Sequence, residues 1–128
     1  MYKYHDLQYY PGGSLLNHNS IDASTVHYGN LDEYDVHNYF GFLESRATYD
    51  YLKDKAGHGL PFILTRSTVP GSGRYTAHWG GDNKSSWEFL KLSISGMLKF
   101  NIYGIPHYGA DICGFNSDTT PELCARWI

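Results

Sequence analysis

The chain has 128 residues, 41% hydrophobic and 18% charged, the balance of a folded globular chain and of ordinary length for one domain. A net charge of −3 excludes the basic footprint of a nucleic-acid binder. No apolar run approaches the ~20 residues that span a membrane, and Met1 to Asp6 do not read as a signal peptide.

Residues 1–34 are rich in Tyr, Asn, Ser and Gly and follow neither a helical nor a strand period. They read as loop, with a turn at Pro11-Gly12-Gly13. From Asp35 to about Lys55 a helix is expected. Val36, Tyr39, Phe40, Leu43, Ala47, Tyr51 and Leu52 form one apolar stripe, Asp35 is the expected N-cap, and Gly57 with Gly59 ends it. Gly41 costs the helix about 1 kcal/mol against Ala, which points to close packing there.

Leu60 to Thr65 is a short apolar run that reads as a strand buried on both faces of a parallel sheet. A loop with Pro70-Gly71-Ser72-Gly73 follows, then a second short strand within Arg74 to Trp79 and a turn at Gly80 to Asn83. Ser85-Ser86-Trp87-Glu88 matches a capping box and opens a helix with Trp87, Leu90, Ile94, Met97 and Leu98 on its buried side. Asn101 to Gly104 closes that helix, and Ile105 to Gly109 is the next strand. Thr120 before Pro121 starts a last helix, still running at Ile128, so the sequence reads as truncated. Strands alternating with helices define an α/β fold with a parallel sheet.

Arg66, Asp82 and Asp111 each follow one of the three expected strands. In a parallel sheet they would gather at the carboxyl ends, the face that carries active sites in α/β barrels. Left to spacing alone, they could equally be three solvated loop charges. Chemistry gives them a use, because glycosidic cleavage needs a carboxylic acid to protonate the leaving oxygen and a second carboxylate across the sugar. Trp79, three residues before Asp82, could supply the water-poor setting that keeps such an acid protonated. Arg66 offers a planar fork of donors to sugar hydroxyls. The aromatic content of 16% suits sugar platforms or a Tyr-rich core alike. Cys113 and Cys124, the only two cysteines, read from spacing as a pair of buried free thiols.

Several long motifs then carry a resemblance. Pro61-Phe62-Ile63-Leu64-Thr65-Arg66-Ser67-Thr68, Gly71-Ser72-Gly73-Arg74-Tyr75, His78-Trp79-Gly80-Gly81-Asp82-Asn83 and Gly109-Ala110-Asp111-Ile112-Cys113-Gly114-Phe115 closely resemble glycoside hydrolase family 31. Ser86-Trp87-Glu88, Gly104-Ile105-Pro106, Val26 to Gly29 and Asp35 to Asn38 also fit, so the resemblance runs from about Pro11 to Ile128. It implies a partial (β/α)8 TIM barrel, with residues 1–128 a fragment of the catalytic barrel domain cut at both ends. A closed barrel takes about 250 residues.

The implied activity is that of a retaining α-glucosidase acting on terminal α-linked glucose of oligosaccharides, with no metal or organic cofactor. Residue by residue, Asp82 matches the general acid/base and Arg66 an arginine that hydrogen-bonds the sugar. Trp79 and Phe115 match pocket aromatics, and Asp111 a supporting polar residue of the substrate site. Cys113 and Cys124 match a disulfide pair, implying a lysosomal or extracellular setting. The sequon Asn83-Lys84-Ser85 beside the acid is read as coincidental, and His37 and His78 as packed, not catalytic.

The sequence also departs from the family. Gly80 stands where a bulky apolar residue is usual, which would alter the pocket wall. Val69, Pro70, Ser95 and His107 replace other customary residues. The nucleophile motif, Trp-x-Asp-Met-Asn-Glu, does not occur in these 128 residues, so the chain alone is expected to be inactive. The alternative reading is a non-catalytic or vestigial carbohydrate-binding protein. An open fragment is further expected to expose apolar faces and to be poorly soluble or loosely packed.

Overall fold

Two units make up the chain, Met1–Phe40 and Gly41–Ile128. The computed structural model describes residues 20–55 and 59–128, and the backbone of two short strands before them. In the first unit those strands, β1 (Gln8–Tyr9) and β2 (Ser14–Leu15), pair antiparallel. A second hairpin joins β3 (Val26–His27) to β4 (Leu31–Asp32), closed by left-handed backbone at Gly29 (φ 86°) and Asn30 (φ 59°). The stretch expected to be loop therefore holds two hairpins, whose two-residue strands are too short to display an alternation. The expected turn at Pro11-Gly12-Gly13 and the helix stop at Gly57 lie outside the described residues.

The expected helix from Asp35 starts earlier and is broken. α1 (Glu33–Val36) runs into a 3-10 turn (His37–Tyr39) and then α2 (Phe40–Lys55). Asp35 lies inside α1 and is not its cap; Asp32 precedes the helix in extended conformation. His37 hydrogen-bonds through Nδ1 with the Tyr34 carbonyl oxygen at 2.8 Å, a packing role. Glu33 is buried and meets His27 Nε2 at 2.5 Å through Oε2.

The second unit is built on a parallel sheet in the order β5 (Leu64–Thr65), β6 (Ala77–Trp79), β7 (Tyr108–Gly109). The strands are the three expected ones, cut to the residues that actually pair. Arg74 belongs to a 3-10 turn (Ser72–Arg74) before β6, and Ile105 precedes β7 as a buried plug, 1% exposed. α3 (Trp87–Ile102) joins β6 to β7, and α4 (Pro121–Trp127) follows.

Capping explains where these helices begin. The cap of α3 is Ser86, one residue later than expected, its Oγ accepting from Phe89 N–H at 3.3 Å. Ser85 is diverted instead: its Oγ donates to the Ser117 carbonyl at 2.9 Å. Thr120 caps α4 as expected, accepting from Leu123 N–H at 3.2 Å, with Pro121 in the first turn. Gly104 (φ 79°) ends α3 in the left-handed conformation that glycine alone adopts without strain.

Register assigns the sheet's two sides. His78 aligns with Thr65 and Tyr108, and all three share the side that meets α3. There the His78 and Phe100 rings stack at 4.0 Å, Phe100 and Tyr108 at 4.8 Å, and His78 Nδ1 hydrogen-bonds with Thr68 Oγ1 at 2.9 Å. Gly80 lies on this side too. A Cβ at position 80 would come within 2.7 Å of Tyr108 Oη, as would one at Gly96. Tyr108 thus fills the volume a bulky residue at 80 would take, and Gly80 borders the helix layer rather than the expected pocket wall.

The other side carries Leu64, Ala77 and Trp79; Ala77 is buried, but Leu64 is 55% and Phe62 74% exposed. That corrects the expectation of a strand buried on both faces. The stripes on the helices are also uncovered: Leu43 and Tyr51 on α2, and Trp87, Ile94, Met97 and Leu98 on α3, are exposed. A three-stranded sheet has too little surface to cover them. Gly41 does pack closely, since a Cβ there would overlap Ser67 Cβ.

Candidate active site

The parallel register brings the ends of β5, β6 and β7 to one edge, and the polar residues follow. Arg66 comes directly after β5, Asp82 three residues after β6, and Asp111 two residues after β7. The structure joins two of the three through Trp79. The Arg66 guanidinium carbon sits 5.6 Å from the Trp79 ring centroid, within cation–π range. On the indole's far edge, Trp79 Nε1–H donates to Asp111 Oδ1 at 3.1 Å.

Asp82 stands apart from that chain. Its carboxylate is exposed and has no hydrogen-bond or ion-pair partner among the described residues. Its backbone is held, because Asn116 Nδ2 donates to the Asp82 carbonyl at 3.0 Å. Its main chain is thus fixed and its carboxylate left exposed. Phe115, the other expected pocket aromatic, is 61% exposed beside it in the chain order of the β7 loop.

Asn83 is the residue that sequence reading undervalued. Only 6% exposed, it uses both ends of its amide: Nδ2–H donates to the Asp111 carbonyl at 3.0 Å, and Oδ1 accepts from Phe115 N–H at 3.1 Å. Its own carbonyl accepts from Phe115 N–H and Asn116 N–H at 3.0 and 2.9 Å. Lys84 and Asn116 add a parallel bridge. The β6 and β7 loops are thereby clasped, tying the loop of Asp82 to the loop of Asp111 and Phe115. The sequon at Asn83 was read as coincidental, and its adjacency to Asp82 was the clue to a structural use. At 6% exposure this amide leaves little room for a glycan in the folded chain.

Gly114 (φ 92°) and Cys113 (φ 71°) make the sharp turn that lets the β7 loop lie against Ser85, where a Cβ at 114 would strike the Ser85 backbone. Cys113 is disulfide-bonded to Cys124, tying this turn to α4. His78 is buried and hydrogen-bonded, so it packs and does not face the site. Its pKa is held below the usual histidine value by burial and then by the nearby Arg66 charge. Burial likewise pushes the Tyr108 hydroxyl up. Among the described residues no cluster of His, Cys, Asp and Glu could hold a metal ion, and no helix is long and apolar enough to cross a membrane.

A parallel α/β segment with an arginine, an indole and an exposed carboxylate at its strand ends is the arrangement to set against known proteins. Residues 11–128 match the model of the glycosyl hydrolases family 31 TIM-barrel domain, and the chain belongs to that family. It is 59% identical over 113 residues to a probable alpha-glucosidase of Oryza sativa subsp. japonica, covering 88% of this chain and 13% of that protein. An alpha-glucosidase of Hordeum vulgare is 52% identical over 116 residues, 91% of this chain and 13% of that one. Among solved structures, the Tris-bound glucosidase II alpha subunit superposes with a TM-score of 0.77 at 40% identity, over 84% of this chain and 12% of its own. The sequence thus spans about an eighth of these relatives.

Proposed function

We propose that this chain supplies the proton-donating part of a retaining α-glucosidase site. Asp82 protonates the leaving oxygen of an α-linked glucoside and then activates the water that releases the sugar. Arg66 grips sugar hydroxyls, while Trp79 and Phe115 wall the pocket and Asp111 supports it. The observation that carries this reading is Asp82 itself, an unpartnered carboxylate on a clasped loop at the edge that holds Arg66 and Trp79. The opposing carboxylate, about 5–5.5 Å away in a retaining enzyme, belongs to the nucleophile motif that these 128 residues lack. Residues 1–128 are then a fragment of the catalytic barrel domain. The Cys113–Cys124 disulfide supports an oxidising compartment, lysosomal or extracellular.

The test grafts residues 11–128 into the Hordeum vulgare alpha-glucosidase in place of the matched segment, with maltose as substrate. Turnover is expected, and Asp82→Asn should lower kcat by about a thousandfold. A folded chimera that binds maltose and does not cleave it would establish the non-catalytic carbohydrate-binding alternative instead.

A further inference from the structure

We infer that Asp111 is a positioning residue: its carboxylate fixes the Trp79 ring and, through that ring, the Arg66 guanidinium. This deepens the proposed glycosidase reading and rests on it for the identity of the sugar, but the linkage itself stands on geometry.

Three observations carry it. Asp111 Oδ1 accepts the indole N–H at 3.1 Å, while Oδ2 is buried with no hydrogen-bond partner. Folded proteins rarely leave a dry carboxylate oxygen unpaired, and such exceptions call for a reason. The reason offered by this site is charge. A carboxylate at the indole N–H polarises the ring and enriches its face, and that face holds the Arg66 cation. A neutral acceptor would keep the hydrogen bond and lose the polarisation.

The second observation is that Asp111 is itself immobilised. Its carbonyl accepts from Asn83 Nδ2–H at 3.0 Å and from Gly114 N–H at 3.1 Å. The third lies on the other side of Arg66. A Cβ at Gly81 would come within 2.6 Å of Arg66 Nε, so the guanidinium lies against bare backbone. Arg66 is thus seated between a glycine and an indole, and only the indole has a rotation to fix. Asp111 fixes it. The order of dependence is Asp111, Trp79, Arg66, sugar, which makes Asp111 remote from the reacting atoms and still necessary for binding them.

Indole 15N spectra of the 128-residue chain read the first link. Its three tryptophans, Trp79, Trp87 and Trp127, are separated by Trp→Phe variants. Asp111→Asn, which keeps an acceptor and removes the charge, should keep the Trp79 indole peak and move it, while the Trp87 and Trp127 peaks stay in place. Arg66 Nε–H exchange should quicken about tenfold in the same variant. A Trp79 indole peak that stays in place in Asp111→Asn, or an unchanged Arg66 exchange rate, overturns the inference.

In the chimera, Asp111→Asn should raise KM about tenfold with kcat changed by less than about twofold. Asp111→Glu, which keeps the charge, should recover part of that loss. A fall in kcat at unchanged KM would assign Asp111 to the chemical step and refute positioning. A chimera inactive even with Asp111 intact would count against the glycosidase reading, and the spectra would still judge the linkage alone.

Discussion

The two sides of the β5–β6–β7 sheet are unlike. Toward α3, the rings of His78, Phe100 and Tyr108 stack, glycines at 80 and 96 admit the Tyr108 hydroxyl, and Ile105 is sealed beneath them. On the opposite side Leu64 and Phe62 are exposed, and Trp79 is steadied by polar partners at its edge. The contrast teaches that this segment packs a ring stack between sheet and α3 with its own residues, while the opposite face and much of the α3 stripe stay uncovered. A strand–helix–strand unit buries its outer layer by local connection, since α3 is tethered to both β6 and β7.

Hydrogen exchange at the β6 amides separates the two sides. Ile105→Ala should give the largest effect, opening a cavity worth about 2–5 kcal/mol and speeding exchange at His78 and Gly80 by roughly a hundredfold. Unchanged exchange would mean that the ring stack does not depend on its plug. A smaller effect follows from pH. The His78 pKa is lowered in the folded chain, so the unfolded chain binds more protons between that depressed value and about 6.5. Stability from this group is therefore full above about pH 6.5 and declines as pH falls through the folded pKa. Exchange measured at pH 7.5 and 5.5, corrected for intrinsic rates, should show the loss, and His78→Asn should flatten it. A slope that persists in His78→Asn would place the titration elsewhere. The smallest effect belongs to the bare side: Leu64→Ser should change exchange by less than about twofold. Strong acceleration there would show that this face is covered after all.

The legible part of this chain was whatever local chemistry announces. Thr120-Pro121 marked a helix start, Gly104 a stop, and the sequence of strands and helices put Arg66, Asp82 and Asp111 at one edge before any coordinates. Burial was misread because an apolar stripe states what a surface wants and not what lies against it. Leu64 and Ile94 satisfy the pattern and remain exposed. The α3 cap moved from Ser85 to Ser86 because Ser85 is claimed by the Ser117 carbonyl, thirty-two residues on. The Asn83 clasp was invisible for the same reason, since its partners, Asp111 and Phe115, lie across the intervening helix. Gly80 was legible only as a departure. Its partner in space, Tyr108, carried no mark of its own.

The buried amide of Asn83 has a consequence in time. Asn83-Lys84-Ser85 is an acceptor sequence for N-glycosylation, a modification made on chains entering the secretory route. The nitrogen that would receive the sugar is the one that donates to Asp111. A glycan would leave that nitrogen one hydrogen for the bond, but a chain modified before its loops meet would have to close them around the sugar at a residue only 6% exposed. In a glycosylating compartment, the yield of correctly assembled molecules is therefore set by a race between two rates, transfer of the glycan and closure of the β6 and β7 loops.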